Sequence, residues 1–260
     1  MRSVWRPERR NRNIGTKHSG YSQSNDMRIP ESWHDKHGNA SIYYERLADP
    51  AIEQVTIGEH QLTIMYETPH EGFSYGCSPA DIHKMLSLAV DHVPCLPDII
   101  AFRQPTRNQQ QQQPVWGRYV YHAEFGDHKG SAIIVEAQEL SAKLKWSKRM
   151  SLAGRDEFSR LVRDGHVFTE TKRCFEATLS EDSIRGTILF RTILHELGHL
   201  ADYHQKVDDE KTALAYDYGL ARQLYFARPS SEREAFAHRF GEELRDALVK
   251  QGEVPFAPQE

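Results

Sequence analysis

Cysteine is scarce in this chain. Its 260 residues hold three, Cys77, Cys95 and Cys174. They form no close pair and their total is odd, which argues against a disulfide framework and against a cysteine-based zinc ribbon. A reducing compartment fits best. Long apolar runs are missing too. No stretch approaches the ~18 apolar residues that a membrane span needs, and the N-terminus MRSVWRPERRNRNIG has a signal peptide's charge without the apolar run that must follow. The expected location is cytoplasmic, the alternative being export without a cleaved signal peptide. An excess of one charge sign is also absent. With 27% charged residues, 38% hydrophobic residues and a formal charge of −4, the balance is that of a soluble globular protein rather than a disordered or generally nucleic-acid-binding one.

What is present divides the chain unevenly. Residues 1–40 are poor in aliphatic side chains and carry eight Lys/Arg against four Asp/Glu, so they bury too little to offset their ordering entropy and are expected to form a flexible basic arm. Any contact with nucleic acid is expected to run through this arm, although its charge is too dilute to require one. Residues 41–260 are expected to form a single domain, strand-rich over 53–140 and helical over 180–250. The segment VTIGEHQLTIMYE, from Val55, alternates around Gly58 and Glu59 as a β-hairpin does, and PADIHKMLSLAVDHV has helical spacing. DIIAF, VWGRYVYHAEF and SAIIVEA read as three strands rich in Ile, Val, Tyr and Phe. Gln109 to Gln113 read as a solvated loop.

The C-terminal third predicts three long amphipathic helices. The first starts at Ser180 as N-cap, with Glu181 and Asp182 in its positive first turn. Leu214, Tyr218, Ala221, Leu224 and Tyr225 give the second an apolar stripe, and Phe236, Phe240, Leu244 and Leu248 do the same for the third.

Inside the first helix lies HELGH. Residues four apart share a helix face, so His195 and His199 can converge on one ion, while Glu196 projects to the flank where a carboxylate can hold water without being a ligand. A catalytic zinc site normally has three protein ligands. His204 is nearest in sequence, but continuing the helix rotates it by roughly 140° from His199. Glu234 lies at the start of the third helix with His238 one turn below it. It reads either as the third ligand, with Glu232 as competitor, or as half of a capping box with Ser231. Asp202 reads as an orienting partner for a ligand histidine or as a bridge to nearby backbone.

HELGH followed some tens of residues later by EAFAHRF resembles the gluzincin branch of zinc metallopeptidases, and the E-x-F-A-x-x-F form is similar to the lethal-factor-type toxin proteases. The resemblance covers residues 180 to 245. It implies an α+β fold with a minimal zincin core: a small, twisted, mostly antiparallel sheet packed on the HExxH helix, with two further long helices behind it. It also implies bound Zn2+ on His195, His199 and Glu234, a protein or peptide substrate, and hydrolysis with Glu196 as general base. Strand 130–137 is read either as the substrate-binding edge or as an ordinary strand covered by other elements. Tyr225 and His238 are the expected donors to the developing oxyanion, with Tyr218 behind them. The alternatives are a non-catalytic, zinc-stabilised protein-binding module, which would not need a glutamate at 196, and a metal-free helical protein in which the motif is coincidental.

Overall fold

The structure, a computed structural model, describes residues 32–34, 40–112, 114–209 and 217–259. Contacts divide the chain into two compact units, residues 1–46 with 105–114, and 47–104 with 115–260. Most of the expected basic arm lies outside the described residues. Its described part, Ser32–His34 (β1), pairs antiparallel with Ala40–Ile42 (β2).

The larger unit opens with the expected hairpin. Ala51–Ile57 (β3) and His60–Tyr66 (β4) are joined through Gly58, whose φ of 60° is the left-handed value a two-residue hairpin turn requires. After the short strand Phe73–Ser74 (β5), helix Pro79–Ala89 (α1) is capped by Ser78, whose hydroxyl accepts from the Asp81 N–H. The helix returns the chain to the end at which β4 began, so Ile99–Arg103 (β6) pairs with β4 in parallel.

In the smaller unit the glutamines depart from the expected loop, since Arg107–Gln112 (α2) is a short helix in which Gln109 is buried. The cause is a reciprocal cap. The Thr106 N–H donates to Gln109 Oε1 at 2.9 Å and the Gln109 N–H donates back to Thr106 Oγ1 at 3.4 Å, the T-x-x-Q form of a capping box.

Gly117–Phe125 (β7) and His128–Glu136 (β8) form a second antiparallel hairpin, and β8 rather than β7 lies in parallel beside β6. The sheet order is therefore β3-β4-β6-β8-β7. Two of its pairings are parallel and two antiparallel, so the sheet is mixed where a mostly antiparallel one was expected. The edge reading of strand 130–137 is also corrected: β8 is internal and β7 is the edge. Composition explains this. Residues 132–136 of β8 are buried on both faces, as a continuous apolar run demands, whereas β7 mixes exposed and buried positions. An extra residue bulges β7 between Val120 and Ala123, which re-aims Tyr121 and His122.

Between this sheet and the helical third lies a region with no sequence-based expectation. The short strand Gln138–Glu139 (β9) pairs with β5. Lys143–Ser147 (β10), helix Leu152–Arg163 (α3), Thr169–Glu170 (β11) and Cys174–Thr178 (β12) follow, the strands forming a second sheet in the order β10-β12-β11.

The expected first long helix starts at its Ser180 cap but is not uniform. Glu181–Thr187 (α4) is α-helical, Ile188–Thr192 forms a π-helical stretch, Ile193–Tyr203 (α5) is α-helical, and a second π-helical stretch covers His204–Asp208. Tyr218–Ala227 (α6) and Ser230–Gln251 (α7) complete the chain. The start of the expected second helix, including Leu214, lies outside the described residues. Its stripe is only partly buried: Ala221 and Tyr225 are inside, while Tyr218 and Leu224 are 47% and 51% exposed. The main core joins Ile100, Phe102, Ile133 and Val135 of the sheet to Met85 and Leu86 of α1 and to Ile193, Leu194 and Leu197 of α5. The helix bearing HELGH is thus anchored on the sheet through its apolar face.

Candidate metal centre

Helices α5 and α7 meet at small residues. A Cβ on Gly198 would lie 2.8 Å from both the Cα and the carbonyl oxygen of Ala237, and one on Gly241 would lie 3.0 Å from the His195 nitrogen. Glycine at 198 and 241 therefore permits a backbone approach that larger residues would block. The contact of Gly198 is thus with the neighbouring helix. The spacing of Ala237 and Gly241, one turn apart on α7, was the available signal.

That crossing brings Glu234 to the histidines. Its Oε2 lies 3.4 Å from His195 Nε2 and its Oε1 lies 3.5 Å from His199 Nε2. The capping-box reading of Glu234 is overturned, because α7 begins at Ser230 with Pro229 as N-cap and without a side-chain cap. The competitor Glu232 faces Arg228, with Oε2 at 3.4 Å from Nε. The two imidazoles stand nearly perpendicular, 89° apart, with centroids separated by 4.8 Å. Their side chains are 15% and 11% exposed, whereas that of Glu234 is 54% exposed and forms the open side. The two adjoining histidines draw the Glu234 carboxyl well below its ordinary range, against the opposing effect of burial.

Glu196 sits on the sheet side, 6% exposed. Burial is the main cause that raises its pKa, and the Glu234 charge adds to it. The charges of His195 and His199 and the Tyr119 backbone N–H act in the opposite direction. The Tyr119 contact ties the glutamate to edge strand β7.

The residue types fit a zinc ion, two imidazole nitrogens and a carboxylate, with Glu234 bridging the two histidines and the ligand atoms of His195, Glu196 and His199 lying within 4.8 Å of one another. Two atoms held ~2.0–2.1 Å from one zinc at a tetrahedral angle lie about 3.3–3.4 Å apart. The Glu234 separations are close to that and longer than the ~2.7–2.9 Å of a charge-assisted hydrogen bond. Nδ1 of both His195 and His199 is buried without a hydrogen-bond partner among the described residues, so packing rather than a carboxylate orients the rings. Asp202 does not play that part. It is fully buried and pairs with Lys206 and, at 3.1 Å, with Arg228.

His238 is brought into the same group. Its ring centroid is 4.4 Å from that of His195, and with His195 and Glu234 it forms a second set of ligand atoms within 4.8 Å of one another. Burial, the His195 charge and Arg160 push its pKa down to about 4. Tyr225 lies instead in an aromatic cluster with Tyr203, 2% exposed, its hydroxyl 3.1 Å from that of Tyr121. Tyr218 reaches the Tyr203 hydroxyl at 3.2 Å. His204 belongs to neither set of candidate ligands found among the described residues.

Tyr121 was not anticipated. Burial raises its pKa; the Glu196 and Glu234 charges add to that rise, against the Tyr225 hydrogen bond and Arg233. This phenol therefore lies within the field of both site carboxylates. A β-bulge puts it there, and β-bulges leave no clear sequence signature. Compared with protein-family models, with curated proteins and with solved structures, the chain matches none.

Proposed function

We propose that this protein is a zinc-dependent endopeptidase with a zincin-like core, acting on a protein or peptide substrate. The observation that carries the reading is the position of Glu234, whose two oxygens each meet the Nε2 of one HELGH histidine while Glu196 stays buried beside them. His195, His199 and Glu234 would hold the ion. When bound, zinc supplies Lewis acidity, which acidifies water and polarises a peptide carbonyl.

The remaining work falls to the chain's own groups. Glu196 takes the proton of the attacking water and delivers it to the leaving amine. Its burial supports this role, since a carboxylate whose pKa is raised accepts a proton more readily near neutral pH. Edge strand β7 offers backbone groups to an extended peptide beside that glutamate. Tyr121 and His238 flank the centre as hydrogen-bond donors for negative charge developing on the carbonyl oxygen.

Metal analysis and peptide hydrolysis test the reading together. Purified protein should carry close to one zinc per chain, and His195→Ala or His199→Ala should lose it. Glu196→Gln should keep zinc and fold while hydrolysis falls by at least ~10²-fold. Zinc retained by both histidine variants, or wild-type cleavage by Glu196→Gln, would reject the proposal.

A further inference from the structure

Away from the metal centre, residues 143–173 hold nine Lys/Arg against four Asp/Glu in a chain whose formal charge is −4. This is the β10–α3–β11 segment, and with β12 it frames a cavity of about 460 Å³, within the ~300–1,000 Å³ range of ligand clefts. Phe158 and Val162 of α3, Val167 and Phe168 of the following turn and Phe175 of β12 line it. The three Phe rings close on one another, Phe158 lying 4.5 Å from Phe168 and 5.3 Å from Phe175 between centroids. Val162 and Val167 are nevertheless 49% and 82% exposed, so the groove opens to solvent with apolar side chains at its mouth.

The rim is cationic. Glu170, the carboxylate in the lining, is paired with Lys148 at 2.5 Å. Arg149, Arg155, Lys172 and Arg173 are exposed, and none forms an ion pair among the described residues. Arg155 is one helical turn before Phe158, and Lys172 and Arg173 lie in the bend that leads into β12, Arg173 two residues before Phe175. An apolar groove bordered by unpaired cations selects a ligand with the reverse pattern.

We propose that this groove is a docking site for an acidic-apolar peptide segment, in which a bulky aliphatic or aromatic side chain flanked by Asp or Glu enters between Phe158, Phe168 and Phe175. Charge rules out the chain's own N-terminal arm, which carries eight Lys/Arg against four Asp/Glu over residues 1–40. Ring geometry disfavours single-stranded nucleic acid, since bases stack on splayed, exposed rings and these rings pack on one another. The inference does not depend on the metallopeptidase reading.

Fluorescence anisotropy tests it with a labelled short peptide whose central Leu-Phe pair is flanked by Asp and Glu. The same peptide with Lys flanks and a labelled oligothymidylate serve as comparisons. The acidic peptide should bind at least about tenfold more tightly than either, and the preference should shrink as salt screens the rim. Val167→Glu and the double change Lys172→Glu, Arg173→Glu alter exposed side chains and so leave the fold intact, which circular dichroism checks. Each should weaken binding by about tenfold or more, while His195→Ala leaves it unchanged. Preferential binding of the oligonucleotide, no binding of the acidic peptide, or wild-type affinity in both groove variants would overturn the proposal. So would loss of binding in His195→Ala, because the peptide would then sit at the metal centre.

Discussion

At the residue scale the decisive group is Glu234, because charge and shape can be separated there. Glu234→Gln keeps the side-chain size and can still contact the histidines, but it removes the negative charge that a cation requires. Zinc affinity should fall by well over tenfold, and the apo-protein should melt within about 1 kcal/mol of wild type, as expected for a half-exposed side chain. Competition with a chelator measures the first quantity, and unchanged affinity would take Glu234 out of the ligand set. Tyr121 permits a second separation. If its hydroxyl stabilises developing charge, Tyr121→Phe should lower kcat by at least about tenfold and leave KM nearly unchanged. Tyr225→Phe, one hydroxyl further away, should have the smaller effect. A reversed order would assign the donor role to Tyr225.

At the element scale the crossing of α5 and α7 determines whether the site exists at all. Gly198→Ala would place a methyl group 2.8 Å from the Ala237 backbone, which cannot turn aside as a side chain can. The helices must separate. The expected result is a loss of about 1–3 kcal/mol in stability together with a zinc affinity reduced at least tenfold, because Glu234 moves away from both rings. Gly241→Ala, with its closest contact at 3.0 Å, should be milder on both counts. Equal, near-neutral behaviour of the two variants would show that the crossing does not set the site. The same elements mark what the sequence could and could not disclose. Helical periodicity and the Ser180 cap placed His195, Glu196 and His199 on one helix, since those features depend on residues a few positions apart. The two π-helical stretches beside α5 did not show in that periodicity, because they change the backbone path without changing which residues are apolar. Strand order depends on contacts between distant residues. The continuous apolar run of β8 nevertheless carried the information that it is internal, and reading it as an edge overlooked that rule. Residues 138–179 gave no clear period, because their strands are short and strongly charged.

At the scale of the whole molecule, acid should loosen the fold through His166, which lies where the end of α3 meets α4 and β7. Thr187 Oγ1 donates to Asp164 at 3.2 Å, so its oxygen is free to accept from His166 Nε2–H at 2.8 Å. Nδ1 is buried without a partner among the described residues, and Trp116 packs on the ring at 5.7 Å. A second proton would enter without an acceptor. Burial first, and then the Arg191 charge, push the pKa from 6.5 down to about 4. The sign follows from proton counting: between pH 6.5 and about 4 the unfolded chain binds a proton that the native state refuses, so unfolding becomes easier as pH falls through that window. A shift of this size corresponds to about 3 kcal/mol, present in full above pH 6.5 and lost near pH 4. Urea unfolding with a chelator present, compared at pH 7.5 and 4.5 for wild type and His166→Asn, isolates the contribution, because zinc then plays no part. The variant should be less stable at high pH and should lose distinctly less on acidification. If its pH dependence matches that of wild type, the His166–Thr187–Asp164 chain does not couple protonation to folding.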